Sequence, residues 1–365
     1  MKTETLHEVP EVHFWHRIST KEKALFYEHL ANMVDGGVSV ISSLRSFLDK
    51  NRNIKMEAEV LNLLMFVESG DGFSIAMKKL PTTFDKREIA IIEAGEQSGT
   101  MQHSFVSLAE ELRNQEELKS KVKGALTYPL IIVLFLIGAV LTIMTYVIPK
   151  LEPLFMTTGV ELPMATQSLI STSRFIQGHF YSIIVIMIAI VLLFQVYAKS
   201  ISGRRTLDTL YLNIPVVGQV YRNYTIVRIA STLSLLLEAG IPIIRTLGLT
   251  GESSNNAIFQ EKIEEVSRKV QNGKKIAESI EEVDPNFQVF TQDFYQIIGA
   301  GERTSTINKV CRKLATQYTR EVDSSIAVLV RFIEPLAILI AGIFVLWFAF
   351  GIFSAVLKIT ETVGA

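Results

Sequence analysis

Two apolar patterns alternate along this chain. In the first, apolar residues recur at helical spacing among charged ones, as in Phe26, Leu30, Met33 and Val34 before a break at Gly36-Gly37, and in the stripe Phe105, Leu108, Ala109, Leu112. In the second, apolar residues run without any Asp, Glu, Lys or Arg from Leu130 to Ile148, Phe180 to Ala198 and Leu336 to Leu357. Each run is near the roughly 20 residues a helix needs to cross hydrocarbon. Glu57 to Val67, Phe73 to Lys79 and Lys86 to Glu93 supply further helices, and no strand-like alternation of any length occurs. The pattern predicts an all-α, polytopic membrane protein with two helical-bundle domains and three transmembrane helices.

The bundles are copies. A shift of 206 positions places Gly95-Glu96 on Gly301-Glu302, the stripe on Cys311, Leu314, Ala315 and Tyr318, and Pro129 on Pro335 without a gap. Nearer the start of each copy the shift is 203, carrying the first apolar face onto Ile229, Leu233, Leu236 and Leu237, with its break at Gly240. About three extra residues therefore lie in the second copy between Gly273 and Gly301, where a loop can absorb them. At the duplicated turn, Gly95 and Gly301 are expected to end one helix in the left-handed conformation, with Ser98 or Thr100, and Thr304 or Ser305, capping the next. Glu96 and Glu302 then sit in a bend. They are either first-turn acids favoured by the following helix dipole or exposed contact points for a partner.

Charge sets the topology. Lys119, Lys121 and Lys123 precede the first span and Lys199, Arg204 and Arg205 follow the second, whereas only Lys150 and Arg174 lie between. The positive-inside bias puts both bundles in the cytoplasm and the C-terminal tail outside. The expected segments are a polar tail 1–19, first bundle 20–125, span 126–149, outer connection 150–178, span 179–198, second bundle 199–330, span 331–357 and outer tail 358–365. The outer connection, which with Pro149 before it holds three prolines, reads as a structured turn leading into a short helix, and Pro215 with Gly218 marks a turn at the start of the second bundle. The single cysteine, Cys311, excludes an internal disulfide and lies on the buried stripe. The N-terminal stretch lacks the apolar core of a signal peptide. A formal net charge of −1 argues against a nucleic-acid partner.

No catalytic, cofactor or metal site is expected. Phosphate-loop and His-Glu-x-x-His patterns are absent. His13 and His16 have no third ligand nearby, and Glu110-Glu111 and Glu116-Glu117 with Lys119, Lys121 and Lys123 read as a solvated helix face. A secondary transporter, the competing class, places ionisable groups in the membrane, but only Glu334, beside Pro335, comes close to a span. A sensor needs a larger outer domain than this connection of about 30 residues.

On these residues the chain resembles the type II secretion system F family. The specific matches are Ala94-Gly95-Glu96 with Ser98-Gly99, Tyr128-Pro129, Ile148-Pro149, Leu162-Pro163 with Thr166, Asp208 to Gly218 with Pro215, Arg228 through Gly240, Ala300-Gly301-Glu302 and Glu334-Pro335. Ser305 stands where Gly99 would repeat, and Asp35-Gly36-Gly37-Val38 is a loose copy of Glu238-Ala239-Gly240-Ile241-Pro242, as in a divergent pilus-type member. The resemblance implies a non-enzymatic platform in the bacterial inner membrane, N-terminus cytoplasmic and C-terminus periplasmic, that is a homo-oligomer. Its implied partners are a cytoplasmic hexameric assembly ATPase, a pilin or pseudopilin and other inner-membrane assembly proteins. It implies partner-contact candidates Gly95, Glu96, Gly99, Arg222, Arg228, Gly240, Gly301 and Glu302. It also implies a membrane-border and outer-loop motif of Pro129, Pro149, Pro163, Thr166, Pro215, Gly218, Glu334 and Pro335.

Overall fold

The computed structural model describes residues 18–50, 53–156 and 162–363, so His13, His16 and most of the polar tail lie outside the described residues. All described secondary structure is helical. The chain divides into two compact units, one built from the described residues up to Lys121 with Tyr211–Asn213 and Gly218–Val322, the other from Val122–Leu210, Ile214–Val217 and the chain after Val322. Both duplicated bundles fall in the first unit.

The first copy comprises α1 (Thr20–Asp35), α2 (Val40–Lys50), α3 (Ile54–Glu68), α4 (Phe73–Lys78), α5 (Lys86–Ser98) and the start of α6 (Met101–Thr142). Local sequence sets its helix starts. Ser19 and Asp85 each form a capping box, with Glu22 and Glu88, and the Asn53 side chain accepts from the first amides of α3. Phe26, Tyr27, Phe73, Phe84 and Phe105 pack in its core. After α7 (Ile148–Met156), α8 (Met164–Lys199) and α9 (Ile201–Asn213), the second copy follows as α10 (Val217–Glu238), α11 (Ile243–Ser253), α12 (Ala257–Gln271), α13 (Ile276–Val283), α14 (Gln292–Arg303) and the start of α15 (Ile307–Val363). Asn256 caps α12 as Asn53 caps α3. The extra residues enter where expected: α13 has 8 residues against 6 in α4, and the connection after it is one residue longer. Leu235, Leu236 and Ile241 of the second copy join the first copy's core.

Three helices are long and apolar enough to cross a membrane, and their apolar parts lie in the second unit. Side chains such as Phe135, Leu193 and Leu346 stand exposed along them, as lipid-facing residues do. Pro149 has no N–H for the carbonyl four residues back, and a π turn, Ile143–Val147, precedes it. The connection between the first two spans is helical on both sides of the turn region: α7 extends the first span through Pro149 and Pro153, and the expected short helix runs from Met164 to a kink at His179, whose φ of −116° and ψ of 15° are not helical, before the second span begins. The stretch 157–161 lies outside the described residues. Pro163 begins α8, and Thr166 Oγ1, buried, donates to Gly351 O at 2.5 Å. Trp347 Nε1 donates to Ser168 Oγ at 3.1 Å, and Ser173 donates to Met144 O.

Candidate functional site

Two short helices lack a capping side chain of their own. The residue before α4 is Gly72 and the residue before α13 is Lys275, neither of which offers an oxygen to the first amides. The acids from the duplicated turn supply it. Glu96 accepts from Phe73 N at 2.7 Å, Ser74 N at 3.1 Å and Ser74 Oγ at 2.6 Å. Glu302 accepts from Ile276 N at 2.7 Å and Ala277 N at 3.3 Å. Each half-buried carboxylate therefore ties the end of one helix to the start of another, with anion and helix dipole aligned.

This corrects the expected turn geometry. Gly95 and Gly301 do not end their helices; they lie inside α5 and α14, where the next helix approaches closely. A Cβ on Gly95 would collide with Ser104 Oγ, and one on Gly301 with Val310 Cγ2, the matching residue of the second copy. The left-handed residues are Gly99 at φ 73° and, in the other copy, Ser305 at φ 55°. Thr100 N returns to Gly95 O and Thr306 N to Gly301 O, both at 2.8 Å. The hydroxyl pairs Ser98–Thr100 and Thr304–Thr306, both 2.7 Å, repeat as well. Glu96 and Glu302 are accordingly in the last turn of a helix, not exposed in a bend.

A buried charge cluster joins the copies. Arg87 Nη2 meets Asp85 Oδ2 at 3.1 Å and Arg87 Nη1 reaches Thr232 Oγ1 of α10 at 3.4 Å. Burial lowers the guanidinium's proton affinity, but Asp85, Glu111 and Glu88 outweigh it and hold Arg87 above its ordinary range. Burial pushes the Glu111 carboxyl up against the opposing pull of Arg87 and Arg228. Arg228, lowered by burial, donates through Nη2 to Ser253 O at 2.7 Å at the end of α11. Behind this cluster Lys23 Nζ grips both oxygens of fully buried Glu88 at 2.9 Å. At the rim Lys86 pairs with Glu252 at 2.9 Å, and Glu93 takes Lys78 at 2.6 Å and Arg245 at 2.9 Å. These hydrogen bonds from Lys78 and Arg245 hold Glu93 below the usual carboxylate range. The run Asp85-Lys86-Arg87-Glu88 carries a sequence signal for part of this arrangement, an Asp and a Glu three apart as in a capping box.

The remaining motif residues shape turns and helices. Gly240 ends α10 at φ 78°, as Gly37 ends the matching turn. Arg222 Nη1 reaches Gln288 O at 3.4 Å. Pro215 lies in the turn before α10, where Val216 has φ 67°, and a Cβ on Gly218 would collide with Leu212 O. Pro129 and Pro335 lie within the continuous helices α6 and α15, and Glu334 is exposed. No group of three or more His, Cys, Asp or Glu able to hold a metal occurs among the described residues.

Comparison with known proteins bears on this duplicated turn. The profile of the family described as type II secretion system (T2SS), protein F matches residues 26–149 and again 229–355. The type IV pilus assembly protein PilC of Myxococcus xanthus is 30% identical over 346 residues, 95% of this chain and 82% of that protein. PilC of Thermus thermophilus is 29% identical over 94% of this chain and 83% of its own length. The type II secretion system protein F of Aeromonas hydrophila is 24% identical over 94% of this chain and 88% of its own. Both profile matches contain the glycine-glutamate turn and its continuation into an apolar helix, so the chain belongs to the type II secretion system protein F family, with the family domain present twice.

Proposed function

We propose that this chain is a non-enzymatic platform of the bacterial inner membrane. It couples a cytoplasmic assembly ATPase to the extraction of pilin or pseudopilin subunits from the bilayer and their addition to a filament. The observation that carries this reading is the pair of duplicated bundles fused into one unit, each continuing through a single helix, α6 of 42 residues or α15 of 57, into an apolar span. Each bundle and its span share one continuous helix with no loop between them, and the single interior proline of each helix, Pro129 or Pro335, marks the place where it can bend. The names of the pilus and secretion relatives agree with it.

In this reading the bundles and N-terminus are cytoplasmic and the C-terminus periplasmic, and the chain works as a homo-oligomer beside other inner-membrane assembly proteins. The family-motif residues from Gly95 to Glu302 act on the partner by fixing the shape of the bundles. The test is reconstitution with the cognate ATPase. The ATPase is expected to copurify with the full chain, deletion of the chain to abolish filaments, and the chain alone to hydrolyse no ATP. ATP turnover by the isolated chain, or solute uptake by vesicles containing it alone, would replace this reading with an enzyme or a transporter.

A further inference from the structure

The start of α15 carries a basic stripe that the fold does not need. Lys309, Lys313 and Arg320 lie on one face of the helix, exposed, and none has a carboxylate within ion-pair distance among the described residues. Elsewhere on this unit exposed cations are commonly paired, as with Lys78, Lys79, Lys86, Lys274 and Arg245. The stripe borders an open hollow of about 910 Å³ whose lining also holds Arg312, Glu238 at the end of α10 and Glu321, so that four cations face two acids there. Arg312 is ion-paired with Glu238, and Ser234 Oγ donates to Asn308 O at 2.9 Å, so α10 and the start of α15 are fastened together there.

The duplication serves as an internal control. The matching face of α6 carries His103, Ser107 and Asn114 in place of Lys309, Lys313 and Arg320, and forms its bundle without them. The cations are a property of the second copy alone. In a chain of formal net charge −1, they make a local positive field beside a hollow large enough for several side chains.

We infer that this hollow is the docking site for an acidic segment of the assembly ATPase, carboxylates on that segment pairing with Lys309, Lys313 and Arg320. This rests on the function proposed above. Glu238 acts as an internal competitor that occupies Arg312 until the partner's acid arrives. Stripe pairs at the rim of an interface set association rate and salt dependence.

The probe is the purified cognate ATPase hexamer, and the host is the full chain in nanodiscs of zwitterionic lipid. The triple reversal Lys309→Glu, Lys313→Glu, Arg320→Glu is expected to raise Kd at least tenfold and to flatten its salt dependence, with an unchanged melting temperature. A reversal of equal charge elsewhere on the bundles, Lys21→Glu, Lys55→Glu, Arg268→Glu, is expected to change Kd less than twofold. Glu238→Gln, which frees Arg312, is expected to tighten binding two- to fivefold. Wild-type affinity in the triple reversal overturns the assignment while leaving the platform reading intact. Equal loss in the control reversal does the same, as does loss confined to self-association or to binding of anionic-lipid vesicles. No binding of the ATPase by the wild-type chain overturns the platform reading itself.

Discussion

Substituting Glu96 is expected to cost stability, and more than substituting Glu302. Glu96 accepts three hydrogen bonds and Glu302 two, of which one is long at 3.3 Å. The difference has a sequence cause: Gly72 lets the Glu96 carboxylate come close, a Cβ there meeting Oε1 at 2.9 Å, and Ser74 adds a hydroxyl. Lys275 and Ala277 stand at the matching places in the second copy. A hydrogen bond to a charged group contributes roughly 1.5–3 kcal/mol, and a half-buried amide left without an acceptor loses most of that. The amide of Gln keeps one acceptor oxygen and turns an NH2 toward N–H donors. Glu96→Gln should therefore cost about 2 kcal/mol and Glu302→Gln about 1 kcal/mol, with Glu96→Ala nearer 3–4 kcal/mol. For a unit of this size 1 kcal/mol moves the midpoint by about 2–4 °C, so the expected falls are about 4–8 °C and about 2–4 °C. The assay is thermal unfolding of the detergent-solubilised full chain, followed by circular dichroism and by labelling of Cys311. An unchanged midpoint in Glu96→Gln, or a larger loss in Glu302→Gln, refutes the capping argument.

Three further outcomes are expected. Lys23→Ile alone strands the buried Glu88 charge and should cost about 3–5 kcal/mol, whereas Lys23→Ile with Glu88→Leu removes both charges and should cost only about 1–2 kcal/mol in urea denaturation, the share of the lost bond from Asp85 N. Burial pushes the Cys311 thiol up to about 12 from 9.0, so the stability it confers is complete below pH 9 and lost as pH rises toward 12. At pH 8 the thiol should resist a disulfide reagent until the chain unfolds. Thr250 Oγ1 is buried without a hydrogen-bond partner among the described residues, beside an apolar cavity of about 20 Å³, so Thr250→Val should raise stability by about 1 kcal/mol, read as a higher urea midpoint.

The helix pattern, the breaks at Gly37 and Gly240 and the place of the extra residues were legible because each is written in local spacing. The turn was only partly legible. Gly95 and Gly99 are four apart, and a local reading has no means of telling a glycine that ends a helix from one that admits a neighbouring helix. What distinguishes them is the contact with Ser104 on the next element. Glu96 was harder, since the amides it caps lie 22 and 23 residues earlier in the chain. An acid in the last turn opposes its own helix dipole, which is a signal that its partner lies elsewhere.

Comparing the copies separates what the architecture requires from what one copy merely tolerates. Gly99 became Ser305, yet the left-handed turn survives, because the paired hydroxyls and the amide returning to the helix carbonyl over-determine it. Gly72 became Lys275 and Ser74 became Ala277, and the cap survives on two bonds. Lys23 and Glu88 became Ile226 and Phe294, and a buried ion pair gave way to apolar packing without loss of the bundle. Ile229, Thr250 and Ile276 stand where the first copy has Phe26, Phe47 and Phe73, and these three smaller residues line a small apolar cavity. The turn and its carboxylate cap are thus the constant parts, and core chemistry is the variable one. Arg87 and Arg228 fall in neither class. Their counterparts, Asp293 and Leu25, carry no cation, which is consistent with a role in joining the two copies to each other.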